Sequence, residues 1–287
     1  MKEGLLLNRF LLMGCGLLLA TSLTGCVYKD RIELVDGNFE APVPKEYHGV
    51  GREVPAHSYL HGFSVSGDFF MDKEVQMETH NKDTSFSSTV HMPDSKADVT
   101  YELPRYNASV DFEMLGKYEM FMSGFGVGVN FGEYKLLYLQ FMFGLNRSHY
   151  ELGVYGNAVF AFDVKSTFRG YKYWAPYSDM GISHNARKDS EISEVYGKKL
   201  QPFGTVGAFA GVYWGPVGLN ASVSYVSPWS GMEDDLLLTI DFPGMISLYT
   251  GASLWMGKSW KVSAGPTFVL GGDDPAIAVG GSLEYWI

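Results

Sequence analysis

Tyr150-Glu151-Leu152-Gly153-Val154-Tyr155-Gly156-Asn157-Ala158-Val159-Phe160-Ala161-Phe162-Asp163 carries the pattern on which the fold turns. Side chains point to opposite faces of a strand in turn, so residues two apart share a face. Tyr150, Leu152, Val154, Gly156, Ala158, Phe160 and Phe162 fall on one side. His149, Glu151, Gly153, Tyr155, Asn157 and Asp163 fall on the other. Phe121, Phe125, Val127, Val129 and Phe131 oppose Met122, Gly124, Gly126, Gly128 and Asn130 in the same way. Near the end of the chain, Ile277, Val279, Leu283, Tyr285 and Ile287 oppose Ala276, Ala278, Gly280, Ser282 and Glu284. From Tyr59 onward this period of two dominates, and no amphipathic helix of useful length interrupts it.

Working outward gives ten such segments, at 58–71, 106–115, 118–131, 134–144, 148–164, 203–213, 217–227, 245–256, 259–270 and 276–287. Most have the roughly 9–11 residues that a tilted strand needs to cross a bilayer. The connections carry a second signal. Gly116-Lys117, Leu145-Asn146, Gly215-Pro216 and Gly257-Lys258-Ser259 are short turns, whereas 72–105, 165–202 and 228–244 alternate with them as long connections. Short turns at one end and long loops at the other mark a transmembrane barrel with both termini in the periplasm. Pairing Lys261 with Glu284 sends both inward and returns the chain through Gly272-Asp273. Pairing Leu115 with Tyr118 makes Gly116-Lys117 a two-residue turn and sets Glu113 opposite Met120. The segments 95–103 and 234–242 could add a hairpin or extend strands beyond the membrane, which leaves the strand number between 8 and 12.

The two faces decide between a soluble and a membrane barrel. A lipocalin-like barrel shows water a face rich in Lys, Glu and Thr. Here the less apolar face is mostly Gly, Ala, Ser, Asn and Tyr, while the other is Leu, Val, Phe, Ile and Trp. That greasy face over ten strands far exceeds the few hundred Å² of apolar patch tolerated in water. The expected fold is therefore an all-β, antiparallel, up-and-down transmembrane β-barrel over 58–287, with long extracellular loops and short periplasmic turns. Phe125, Val154, Val223 and Leu283 should meet lipid, and Gly126, Tyr155, Ser224 and Glu284 should be shielded. Aromatics at 15% and 34 glycines suit such a barrel better than a helical protein.

At the N-terminus, Lys2 and Arg9 precede the apolar run Phe10 to Ser22, which is too short to span stably. The run closes with Leu23-Thr24-Gly25-Cys26, which resembles a bacterial lipobox. The resemblance to lipoprotein precursors implies that 1–25 is a signal peptide and that Cys26 carries diacylglycerol on its thiol and an acyl chain (palmitate among them) on its amine. Val27 in place of Asp resembles the outer-membrane sorting pattern of Gram-negative lipoproteins. Cys15 goes with the leader, so Cys26 is the only mature cysteine and no internal disulfide can form. Residues 26–57 hold Pro42, Pro44 and Pro55 without sustained periodicity and read as a lipidated periplasmic tether. Removing the leader's net +1 from the overall −10 leaves about −11, which argues against a nucleic-acid partner.

Leu283, Tyr285 and Ile287 alternate to the last residue and resemble the terminal signal read by the barrel-assembly machinery. This chain departs from that signal in ending on Ile with Trp286 before it. The resemblance over 58–287 is to outer-membrane barrels as a class. It implies outer-membrane lipids, lipopolysaccharide and the lipoprotein-processing and barrel-assembly machineries as partners.

The lumen should hold Asp68, Asp111, Glu113, His149, Glu151, Asp163, Lys261 and Glu284. They form either a polar pathway or an internal ion-pair network, and the narrow lumen of a ten-stranded barrel favours the network. The loop 165–202 mixes Arg169, Lys172, Arg187 and Lys188 with Tyr173 and Trp174. Such a mixture could bind polysaccharide or lipopolysaccharide phosphates, or could be solvated loop charge beside an aromatic girdle. Ten-stranded barrels include the omptin proteases, but no Asp-x-His occurs here. The outward face shows no polar triad of the lipid A deacylase kind, and no metal-ligand pattern occurs. Gly124-x-Gly126-x-Gly128 lies within a strand and is better explained by small lumen-facing residues than by a nucleotide loop.

Three functions follow. The chain is expected to be a non-enzymatic surface or structural protein acting through its outer loops in adhesion, envelope organisation or ligand binding. A small-solute channel through the lumen is the second, and a lipid-anchored soluble β protein the third. No cofactor beyond the lipid on Cys26 is expected.

Overall fold

The computed structural model describes residues 31–41, 43, 46–81, 95–174, 187–227, 243–272 and 275–287. The signal segment 1–25, Cys26 and Asp273 lie outside these residues. Among the described residues thirteen strands follow in chain order: β1 (Arg31–Glu40), β2 (Ser58–Phe70), β3 (Glu74–His80), β4 (Lys96–Glu102), β5 (Tyr106–Tyr118), β6 (Phe121–Phe131), β7 (Lys135–Asn146), β8 (Tyr150–Trp174), β9 (Arg187–Trp214), β10 (Val217–Ser227), β11 (Met245–Met256), β12 (Trp260–Leu270) and β13 (Ala276–Trp286).

Ten of them close a barrel in the order β8-β7-β6-β5-β2-β13-β12-β11-β10-β9, and β8 pairing with β9 shuts the ring. Every barrel pairing is antiparallel, as the sequence predicts. Closure removes sheet edges, so each barrel strand finds its backbone partners without water. The alternation holds in three dimensions: Phe125, Val154, Val223 and Leu283 are exposed on the outer wall, while Tyr155, Ser224 and Glu284 are buried inside. An outer wall of Phe63, Val65, Val110, Phe141, Leu219, Leu254 and Val279 continues this belt. Lys261 lies opposite Glu284, the register expected from the inward placement of both.

One turn differs from expectation. β5 and β6 run on to Tyr118 opposite Phe121, so Glu119-Met120 makes the reversal and Glu113 faces Gly126 rather than Met120. Glu119 adopts φ 52°, the left-handed conformation expected from the sequence at Gly116. The longer hairpin keeps Leu115 and Met122 inside, leaves Tyr118 exposed outside and Met120 in the turn rather than both in the lumen, and brings Lys117 inside, where it is buried.

Outside the barrel, β8 and β9 continue as a long hairpin, and β1, β4 and β3 add to its flank in the order β3-β4-β1-β8. The segment 95–103, for which the sequence leaves both an added hairpin and an extended strand open, holds β4, which pairs with β3 and β1 outside the barrel, whereas 234–242 lies outside the described residues. At Asp163 the backbone passes through φ 55°, and the inward set of β8 changes from odd to even numbers, so that Val164 and Phe168 are buried. This distal sheet lies across the long-loop mouth. Leu34, Phe39, Val75, Met77, Val99 and Tyr101 form one buried cluster with barrel-rim residues such as Leu136, Tyr138, Met245 and Val269. The Tyr101 hydroxyl donates to the Pro243 carbonyl at 2.8 Å, fastening the cap to the connection before β11.

Residues 26–57 are not a free tether over their described part. Residues 31–40 form β1, and the described residues 46–57 run down the lumen to the start of β2 at Ser58. Arg31 pairs with Tyr173 at the far tip of β8, at the long-loop end, while Ile287 lies at the short-turn end beside His61. Sequence reading missed this because a segment bonded to a barrel wall from inside needs no period of its own.

Candidate functional site

The lumen is lined by small polar side chains. Ser64, Ser66, Ser109, Asn157, Thr205, Asn220, Ser222, Ser224, Ser253 and Ser263 all face inward and are buried. Such residues alone cannot fill the interior of ten strands, and close packing requires that something else does. Residues 46–57 supply it as a strap descending from the capped mouth to the short turns.

Its contacts step down the barrel in order. Asn107 Nδ2 donates to the Val43 carbonyl at 3.3 Å near the mouth. Below it, Glu46 accepts from Ser224 Oγ at 2.8 Å and from the Tyr155 hydroxyl. Tyr47 packs edge-on against Phe209 with centroids 4.6 Å apart, and His48 stacks on Tyr249 at 4.0 Å. Lys261 Nζ then donates to the Gly49 carbonyl at 2.6 Å. Glu151 takes the Gly51 and Val50 amides at 2.7 and 3.1 Å, a pincer on two successive N–H groups. Gly49 and Gly51 sit at φ 72° and 74°. A Cβ on Gly49 would collide with the Glu151 carboxylate, so glycine is required twice over, by backbone and by approach.

Nearer the short turns, the Arg52 guanidinium lies 3.7 Å over the Trp255 ring and donates to the Lys258 carbonyl at 2.6 Å. Asn146 accepts from the Val54 amide at 2.8 Å and donates to the Arg52 carbonyl at 2.9 Å. Lys117 Nζ reaches the Val54 carbonyl at 2.6 Å. A second apolar cluster of Tyr47, Val50, Val54, Leu115, Met122, Phe209 and Trp286 fills the remaining space at this level. Near the mouth, the cavity bounded by Val43, Glu46, His48, Asp68 and Asn107 holds about 10 Å³, room for about one water molecule.

Most residues expected in the lumen are there. Lys261, fully buried, lies 3.2 Å from Glu284, which also accepts from Ser282 Oγ and Trp286 Nε1 at 2.9 and 3.1 Å. Asp111 accepts from Ser64 Oγ at 2.8 Å, from Ser109 Oγ at 3.1 Å and from the Tyr138 hydroxyl. Asp68 lines the mouth cavity, and Glu113 faces Gly126 on the inner wall. Two are elsewhere. His149 is exposed in the turn before β8, where its carbonyl accepts from the Tyr213 amide. Asp163 is exposed at the φ reversal above the rim, because the left-handed residue turns its side chain off the inner face. Both sit at strand ends, where a boundary error of one or two residues removes a side chain from the lumen.

The expected loop cluster is part of a sheet. Arg169 donates to Asp36 of β1 through Nε at 2.9 Å and also through Nη2, and lies 4.0 Å from Glu191, so it joins strands. Tyr173 pairs with Lys188 and Trp174 with Arg187 along the backbone at the tip of the hairpin, with Lys172 opposite Ile32. The side chains of these six residues lie outside the described set, as does 175–186. Among the described residues no group of three or more His, Cys, Asp or Glu could hold a metal ion.

No family model matches the chain, and no curated protein does. Among solved structures, it is similar to the CymD monoaromatic hydrocarbon channel, at 8% identity over 81% of this chain and 88% of that one, with a TM-score of 0.30. It is also similar to the translocator domain of the autotransporter NalP from Neisseria meningitidis, at 10% identity over 80% and 88%, with a TM-score of 0.29. The loop L8 deletion mutant of OmpT, an outer membrane protein of Vibrio cholerae, matches at 8% identity over 79% and 99%, with a TM-score of 0.22. At such values the barrel is read from this chain's own strand pairing.

Proposed function

We propose that the chain is an outer-membrane β-barrel lipoprotein with a non-enzymatic structural or surface role, exercised from the capped sheet at its long-loop end. The observation that carries this reading is the strap. A chain segment pinned to Glu151, Lys261, Asn146 and Lys117 occupies the path that a solute would take. One apolar cluster closes the mouth above it, and a second, which includes its own Tyr47, Val50 and Val54, packs around it. The belt of exposed Phe, Val and Leu supports the bilayer location, since it leaves apolar surface that only lipid covers at no cost. Outer-membrane lipids and lipopolysaccharide are then the partners of the wall. Lipidation at Cys26, after processing by the lipoprotein machinery, completes the reading.

Planar-bilayer recording of the purified full-length protein tests it. The wild type should give no reproducible openings, while deletion of residues 46–55 should give steps of steady conductance. Steady openings by the wild type would favour the small-solute channel and overturn the plugged reading.

A further inference from the structure

We propose that the barrel is the conduit for its own N-terminus: the strap leads the acylated end through the lumen to the long-loop face, so the lipid on Cys26 is carried on the outer side. The inference rests on the outer-membrane lipoprotein reading and adds a direction to it. That direction is the reverse of the periplasmic one expected from a simple tether.

The order of the strap contacts fixes the path. Going from Val54 to Val43, the partners climb from Asn146 at the short turns, through Glu151 and Lys261, to Asn107 near the mouth. Above the mouth the chain does not fold back. The Ala41 amide donates to the Glu102 carbonyl at 2.8 Å, and β1 then climbs β8 from Phe39 opposite Ser166 to Arg31 opposite Tyr173. The Arg169 bridge to Asp36 and parallel pairing with β4 hold β1 on both sides.

Chain length decides where a lipid can be. Cys26 lies five positions before Arg31, a stretch that reaches at most about 18 Å when fully extended. The barrel part of β8 alone, Tyr150 to Phe162, rises on the order of 28–30 Å along the axis at the usual strand rise and tilt. Arg31 stands a further eleven residues beyond Phe162 on the same strand. No conformation of five residues returns Cys26 to the short-turn side. A lipid on that cysteine is therefore displayed at the long-loop end.

Accessible thiols on intact cells test this with the full precursor, because acylated Cys26 leaves the mature wild type without a free thiol. Single replacements are made at exposed positions: Asn38→Cys on β1, Asp72→Cys at the long-loop end and Lys258→Cys at a short turn. Heat-modifiable migration confirms that each variant folds. With a membrane-impermeant maleimide, Asn38→Cys and Asp72→Cys should label on intact cells, and Lys258→Cys only after permeabilisation. Labelling of Asn38→Cys only with Lys258→Cys, while Asp72→Cys labels on intact cells, overturns the threading. Labelling of Lys258→Cys alone on intact cells overturns the barrel orientation and the proposal with it. An alkyne fatty acid should tag the wild type and not Cys26→Ala. A wild type without the tag ends the lipid part even if the thiol map stands, which separates failure of the lipoprotein reading from failure of the path.

Discussion

The lumen and the distal sheet each carry an ion pair that ties strands together, and their surroundings make them unlike. Lys261 and Glu284 have side chains 0% and 7% exposed, and both are further bound, Lys261 to the strap and Glu284 to Ser282 and Trp286. Arg169 and Asp36 are 52% and 42% exposed. A buried charge is costly to leave unpaired, whereas solvent and salt replace most of an exposed partner. The first pair therefore works as a fixed post for the chain inside the barrel. The second guides β1 onto β8, while Leu34, Phe39 and the sheet hydrogen bonds supply the holding energy.

The contrast breaks most visibly at Lys261. Lys261→Met removes the cation from Glu284 and the donor from the Gly49 carbonyl, and should destabilise the folded barrel by about 3–5 kcal/mol. Urea titration in lipid vesicles, read by heat-modifiable migration, measures it; a loss too small to resolve would mean that water reaches this pair. Glu151→Ala comes next. Two strap amides lose their acceptor, at a cost of about 1–3 kcal/mol. Transient conductance should appear with it, since the strap loosens without leaving. Arg169→Ala gives the smallest effect. Barrel stability should not change measurably, and only protease sensitivity of β1 should rise slightly; a large loss in the same titration would show that the exposed bridge is structural.

The barrel was legible because a membrane wall imposes alternation on every strand, and the pairing of Lys261 with Glu284 followed from sending both inward. Strand ends were less so. Gly116 offered the obvious turn residue, yet Glu119 took the left-handed position, because running on places Lys117 beside Asn146 and the Val54 carbonyl. His149 and Asp163 continued the period on paper, but one lies in a turn and the other at a backbone reversal. The strap had no period to betray it. A signal was nevertheless present: an inner face of Ser, Gly and Asn leaves volume to fill, and Glu46-Tyr47-His48-Gly49-Val50-Gly51-Arg52 has the length and polar groups to fill it. The three prolines drew attention to flexibility instead.

Photolabelling from a lipid-borne diazirine, mapped by mass spectrometry in reconstituted membranes, addresses the division of faces most directly. Adducts are predicted at Phe125, Val154, Val223 and Leu283, with none at Tyr155, Ser224, Glu284 or Tyr47. Adducts at Tyr155 and Tyr47 in a folded sample, with Val154 and Leu283 unmarked, would contradict a greasy wall around a filled polar centre.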